Sequence, residues 1–152
     1  LINVEIKGLE KAIADVRGYS EEVARKVTQA INDTSEDVRG DAIRMAPVNK
    51  RSGGGLGARG GSLRRLIVAE PAINFQATVE SRANYSEFVE FGTGIYGENP
   101  KGGHRSTPWV YFDEATQEFV WTRGNRAQPF LNPAAEMNRR KHSERIIKAL
   151  KG

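Results

Sequence analysis

Ala83-Asn84-Tyr85-Ser86-Glu87-Phe88-Val89-Glu90-Phe91-Gly92-Thr93-Gly94 runs a short amphipathic helix into a turn suited to glycine. Tyr85, Phe88, Val89 and Phe91 recur at helical spacings, so one face can lie on a core while Glu87 and Glu90 point elsewhere. Gly92 and Gly94 then stop the helix. Phe91-Gly92 reads as its cap, because glycine bears no Cβ penalty in the left-handed conformation common at helix C-termini.

Upstream of this stop, Val4 and Ile6 alternate with Glu5 and Lys7, which predicts a short strand ended by Gly8. Leu9, Ile13 and Val16 predict a helix up to Gly18, and Ser20 an N-cap for a second one. Val23, Val27, Ala30, Ile31, Thr34, Val38, Ala42 and Met45 then trace one face with a period near 3.6 residues, predicting a long helix over 20–46 that Pro47 ends. Gly40 inside it marks a bend or a close contact. Residues 49–62, glycine-rich with little to bury, predict a mobile loop. A hairpin follows: Leu66 and Val68 alternate in one arm, Phe75, Ala77 and Val79 in the other, with the turn at 71–74. Downstream, 109–112 and 118–121 predict a second hairpin. Pro133-Ala134 opens a last helix with Ala135, Met137, Ile146, Ile147 and Leu150 as its apolar members.

The chain has 152 residues, a size suited to one domain (1–152), and no apolar run approaches the roughly 20 residues needed to span a bilayer. With no cysteine there is no disulfide framework, thiolate nucleophile or cysteine zinc site. The net charge of +4 is unevenly spread. Lys and Arg exceed Asp and Glu by five in both 47–66 and 124–152, while acids lead by two in 1–46 and by four in 67–123. Such zones can face DNA, or they can pair basic and acidic surfaces of neighbouring subunits.

Motifs for chemistry are weak. Two G-x-G-x-x-G matches, at 55–60 and 92–97, both follow a predicted helix, whereas a dinucleotide site needs them between a strand and a helix. His104 and His142 read as surface histidines without an acidic partner at metal-ligand spacing. Glu87 and Glu90 share a helix face but read as solvated or subunit-bridging carboxylates. Ser62, Ser81 and Ser86 lack a nucleophile elbow. No enzyme, cofactor, metal or small-molecule substrate is expected. Lys50, Arg51, Arg59, Arg64 and Arg65 form a basic loop that could follow phosphates, or stay solvated until a partner subunit orders it. Trp109 and Trp121 fit a core or an interface.

Several phrases resemble, in order, the minor tail-component family of long-tailed double-stranded DNA phages, the head–tail joining or neck proteins. They are Asn3-Val4-Glu5-Ile6-Lys7-Gly8-Leu9-Glu10, Ala46-Pro47-Val48, Gly61-Ser62-Leu63-Arg64 opening a strand, Glu90-Phe91-Gly92-Thr93-Gly94, and Gln128-Pro129-Phe130-Leu131-Asn132-Pro133-Ala134. Two departures stand out: 49–60 resembles a glycine-rich insertion, and Asn132 stands where Arg is common.

The resemblance implies a structural virion protein at the head–tail junction, assembled in the bacterial cytoplasm. Identical copies would form a ring, meet other neck and tail proteins, and let DNA pass through the lumen without sequence recognition; no membrane is involved. Other readings are a tail terminator capping the tail tube and a small basic nucleic-acid-binding protein. The assembly residues expected are Tyr85, Glu90, Phe91, Gly92, Thr93, Gly94, Pro129, Phe130, Leu131 and Pro133, with the two motifs packed near each other. The fold expected is α+β: a mostly antiparallel sheet covered by one long N-terminal helix and a C-terminal helix, with a glycine-rich mobile loop.

Overall fold

Apolar alternation in β1 (Ile2–Lys7) and β3 (Gln76–Ser81) puts Ile2, Ile6, Ala77 and Val79 on one buried face, the start of the core. This computed structural model describes residues 2–7, 21–48, 61–98, 103–113 and 117–151. The helix expected over 9–17, the cap at Ser20, the loop over 49–60 with Lys50, Arg51 and Arg59, and the first G-x-G-x-x-G match lie outside those residues.

The fold is α+β. Strand β3 is central in an antiparallel sheet of order β1-β3-β2, where β2 spans Ile67–Ile73. One face of this sheet is covered by the long helix α1 (Glu21–Met45), which packs on β2 and β3, and by the last helix α4 (Leu131–Leu150), which reaches β1. Helix α1 buries Val27, Ala30, Ile31, Thr34, Val38 and Ala42, as its 3.6-residue period predicts. The two helices run antiparallel, and polar pairs set their register. Thr34 Oγ1 meets His142 Nδ1 at 3.1 Å, Asp37 pairs with Lys141 at 2.6 Å and Arg145 at 2.9 Å, and Asn138 Nδ2 donates to Asp41 at 2.7 Å. His142 also reaches the Lys7 carbonyl at 2.7 Å through Nε2, so it is a half-buried strut between helix and strand, not a free surface histidine.

Several local expectations are corrected. Residues Ser62–Arg65 form one helical turn, α2, and do not open a strand. This shifts the phase of β2, so that Ile67 is buried and Leu66 is exposed. The first hairpin turns at Asn74 and Phe75, with φ of 50° and 61°, while Pro71 lies within β2. An edge strand tolerates that proline, and the pairing slips between Glu70 and Ile73. Helix α4 starts at Leu131, two residues before Pro133; it buries Leu131, Ala134, Asn138, Ile146 and Ala149, leaving Met137 and Ile147 exposed. Among the described residues, an added Cβ at Gly40 would meet only the tip of Arg44 at 3.7 Å, so none of them requires glycine there by close approach.

The second hairpin, β4 (Trp109–Asp113) with β5 (Glu118–Thr122), pairs in the expected arms but forms its own two-stranded sheet. Its Trp121 is 59% exposed and belongs to no core.

Candidate functional site

Helix α3 (Ser86–Phe91) carries Glu90 on its inner side. The residue is only 2% exposed, so the solvated or subunit-bridging carboxylate expected here is instead an internal one. Its partners are main-chain amides. Phe130 N–H and Leu131 N–H donate to Oε2 at 2.8 and 3.0 Å, and Asn132 N–H donates to Oε1 at 2.9 Å.

These are the orphan donors of helix α4. The first amides of any α-helix lack intrahelical acceptors, and a local Ser, Thr, Asp or Asn usually supplies one. Here the N-cap residue is Phe130, which cannot. Three of the first four amides go to Glu90, and the fourth position is Pro133, which has no N–H. A negative group at that end also complements the helix dipole. The whole helix terminus is therefore satisfied by one carboxylate from 40 residues away.

The glycines complete the join. Gly92 has φ 75° and ψ 178°, a positive-φ extended conformation and not the left-handed cap expected. It turns the chain so that residues 92–95 run alongside 123–125. Gln128 N–H donates to the Val89 carbonyl at 2.8 Å, Thr93 N–H to Asn125 at 2.8 Å, and Ile95 N–H to Arg123 at 3.0 Å. Asn125 N–H returns a bond to Thr93 Oγ1 at 2.9 Å. Gly94 and Gly124 face each other so closely that a Cβ on Gly94 would lie 2.1 Å from the Arg123 oxygen, and one on Gly124 would lie 2.1 Å from the Thr93 oxygen.

The Glu-Phe-Gly-Thr-Gly and Pro-Phe-Leu-Asn-Pro motifs thus form one clamp. Phe130 and Leu131 are fully buried, Phe91 and Pro133 half-buried, and Pro129 exposed. Half-buried Tyr85 precedes α3, and its carbonyl accepts the Phe88 and Val89 amides at 3.1 and 3.2 Å. Burial pushes its phenol pKa up, against a smaller opposing pull from Arg65. Of the basic loop, Arg64 is structural: its Nε donates to the Ala46 carbonyl at 2.8 Å, capping the C-terminus of α1, where Arg is favoured. Arg65 is exposed and reaches Ser62 Oγ at 3.3 Å.

Sequence reasoning missed Gly124 and Asn125, which complete the clamp, and the aromatic seats of three arginines. Arg105 lies over Trp109, Arg123 over Trp121 and Arg126 over Tyr96, each 5.1–5.2 Å from the ring centre. A usable signal was the helix start itself, since Phe130 before Leu131 leaves no local cap. The Glu90 carboxylate is enclosed and committed to amides, an arrangement suited to bracing rather than to proton transfer. Among the described residues no three His, Asp or Glu side chains gather as a metal site would need, and no helix is long and apolar enough to cross a membrane.

No curated protein and no solved structure matches the chain. The family described as "Bacteriophage HK97-gp10, putative tail-component" matches residues 10–92, more than half of the sequence. The match takes in α1, the first hairpin and α3 up to Gly92, and stops short of the second hairpin and α4. The chain belongs to the HK97-gp10-like family of bacteriophage tail components.

Proposed function

We propose that this protein is a structural component of the virion neck that joins DNA-filled heads to tails as a ring of identical copies, with DNA passing through the lumen. Membership of a tail-component family carries the reading. The clamp supports it physically: a rigid body, with a hairpin anchored at its base through Gly94 and Gly124, suits a part whose work is repeated subunit contact. Its partners are further copies of itself and the neighbouring neck and tail proteins. The reading includes no reaction.

Electron microscopy of a lysate from the parent phage with an early stop codon in this gene tests it. Filled heads beside separate tails of normal length are the expected result. Tails of irregular length would instead indicate a terminator, and intact infectious virions would overturn both readings.

A further inference from the structure

Among the described residues, the second hairpin presents an apolar face that is largely exposed. Directly paired residues share a face, so Val110 with Trp121 and Phe112 with Phe119 form one four-residue apolar face. These side chains are 56%, 59%, 45% and 77% exposed, and the Phe112 and Phe119 rings meet edge to face at 5.2 Å. A lone two-stranded hairpin is marginal in water, and a contiguous apolar face of this kind marks an interaction site. Among the described residues a cation borders it, the Arg123 guanidinium over the Trp121 ring.

The same chain carries a surface of complementary character. Beside the clamp lies a groove of about 490 Å³ whose walls include Val4, Phe91, Pro133 and Ala135, with Glu98 and Glu136 also lining it. Glu136 pairs with Arg139 at 3.5 Å, but both side chains are more than 70% exposed, so that pair exchanges cheaply for another. The hairpin is apolar with a basic border, and the groove is apolar with acidic members.

We propose that the Val110/Phe112/Phe119/Trp121 face of one copy seats in the Val4/Phe91/Pro133/Ala135 groove of the next, with Arg123 facing Glu98 and Glu136. This rests on the reading that copies of the chain assemble into a ring. Two different surfaces meet, so the contact is head-to-tail, the type that closes into rings. The bracing of the clamp also gains a purpose, since it fixes the hairpin base and the groove wall to one rigid unit.

Sedimentation velocity over a concentration series, with far-ultraviolet circular dichroism as the check on folding, tests the proposal. Phe119→Asp spoils the hairpin face and Ala135→Arg blocks the groove. Each is expected to keep the wild-type helical spectrum and to weaken self-association about tenfold or more, as loss of a central apolar anchor does. Mixed one to one, the two variants should form a dimer and stop, because each pair retains one intact hairpin and one intact groove. A second measurement uses the absence of cysteine: Phe119→Cys and Ala135→Cys should form a disulfide-linked dimer when mixed and oxidised, and not when either is alone. Variants that assemble like wild type, or a mixture that gives no dimer, would overturn this interface and leave the joining role standing. A wild-type chain that stays monomeric throughout would overturn it as well, while the lysate micrographs judge the joining role separately. If Phe119→Asp abolishes binding to duplex DNA while self-association is unchanged, the face belongs to nucleic acid and the proposal is wrong.

Discussion

The Phe130 amide donates to the Glu90 carboxylate at 2.8 Å, joining the end of one short helix to the start of the last long one. Glu90→Gln places an NH2 group among three N–H donors and should cost about 1–3 kcal/mol; Glu90→Ala, which orphans all three, should cost on the order of 3 kcal/mol or more. Urea unfolding midpoints measure both. A change under about 0.5 kcal/mol for the alanine variant would show that the clamp does not hold the fold together.

Glycine identity matters unequally along the chain. Gly94→Ala and Gly124→Ala each drive a Cβ to 2.1 Å from a backbone oxygen, and should destabilise by at least about 3 kcal/mol or prevent folding. Gly61→Ala, at φ 84° with nothing within 4 Å among the described residues, should cost only the roughly 1–2 kcal/mol of left-handed backbone. Thermal unfolding of the three variants orders them.

Gly40 is the opposite case. It sits inside α1, where an added Cβ would make an ordinary contact with the tip of Arg44 at 3.7 Å, so Gly40→Ala should raise stability by about 1 kcal/mol through helix propensity. A drop in melting temperature would mean that the helix needs glycine for a contact outside the described residues.

Asp37 ties stability to pH. The Lys141 ammonium is the largest influence on its carboxyl and holds the pKa below the usual value; burial opposes it, and Arg145 adds to the lowering. A depressed folded-state pKa contributes stability that is fully present above the unfolded value, near 4, and is lost as pH falls through the folded one. The side chain is 34% exposed, so solvent screening keeps the contribution small. Asp37→Asn should flatten the acid limb of a stability–pH curve below about pH 4 and lower stability at neutral pH. An unchanged acid limb would count against the pairing.

Sequence reading recovered the elements whose pattern is local and failed where the deciding partner is distant. Helix α1 was legible because its apolar period persists over seven turns. The exposed faces of α4 were not, since Asn138 is buried only because Asp41 and the Ala134 carbonyl accept its two amide hydrogens, while apolar Met137 stays in solvent. Strand β2 was misphased by one residue because the helical turn at Ser62–Arg65 absorbs part of the alternation. The two motifs of the clamp were visible as phrases, and their adjacency was expected. The role of Glu90 was not, because its acceptor sites are filled by backbone amides, which carry no side-chain signature.

The most direct test of the joining role is complementation in vitro. Purified protein is added to a lysate of phage carrying the stop codon, and plaque-forming units are counted before and after. The account predicts that infectivity rises with added protein as filled heads and tails join. Infectivity that stays flat while intact heads and normal-length tails remain apart would contradict it.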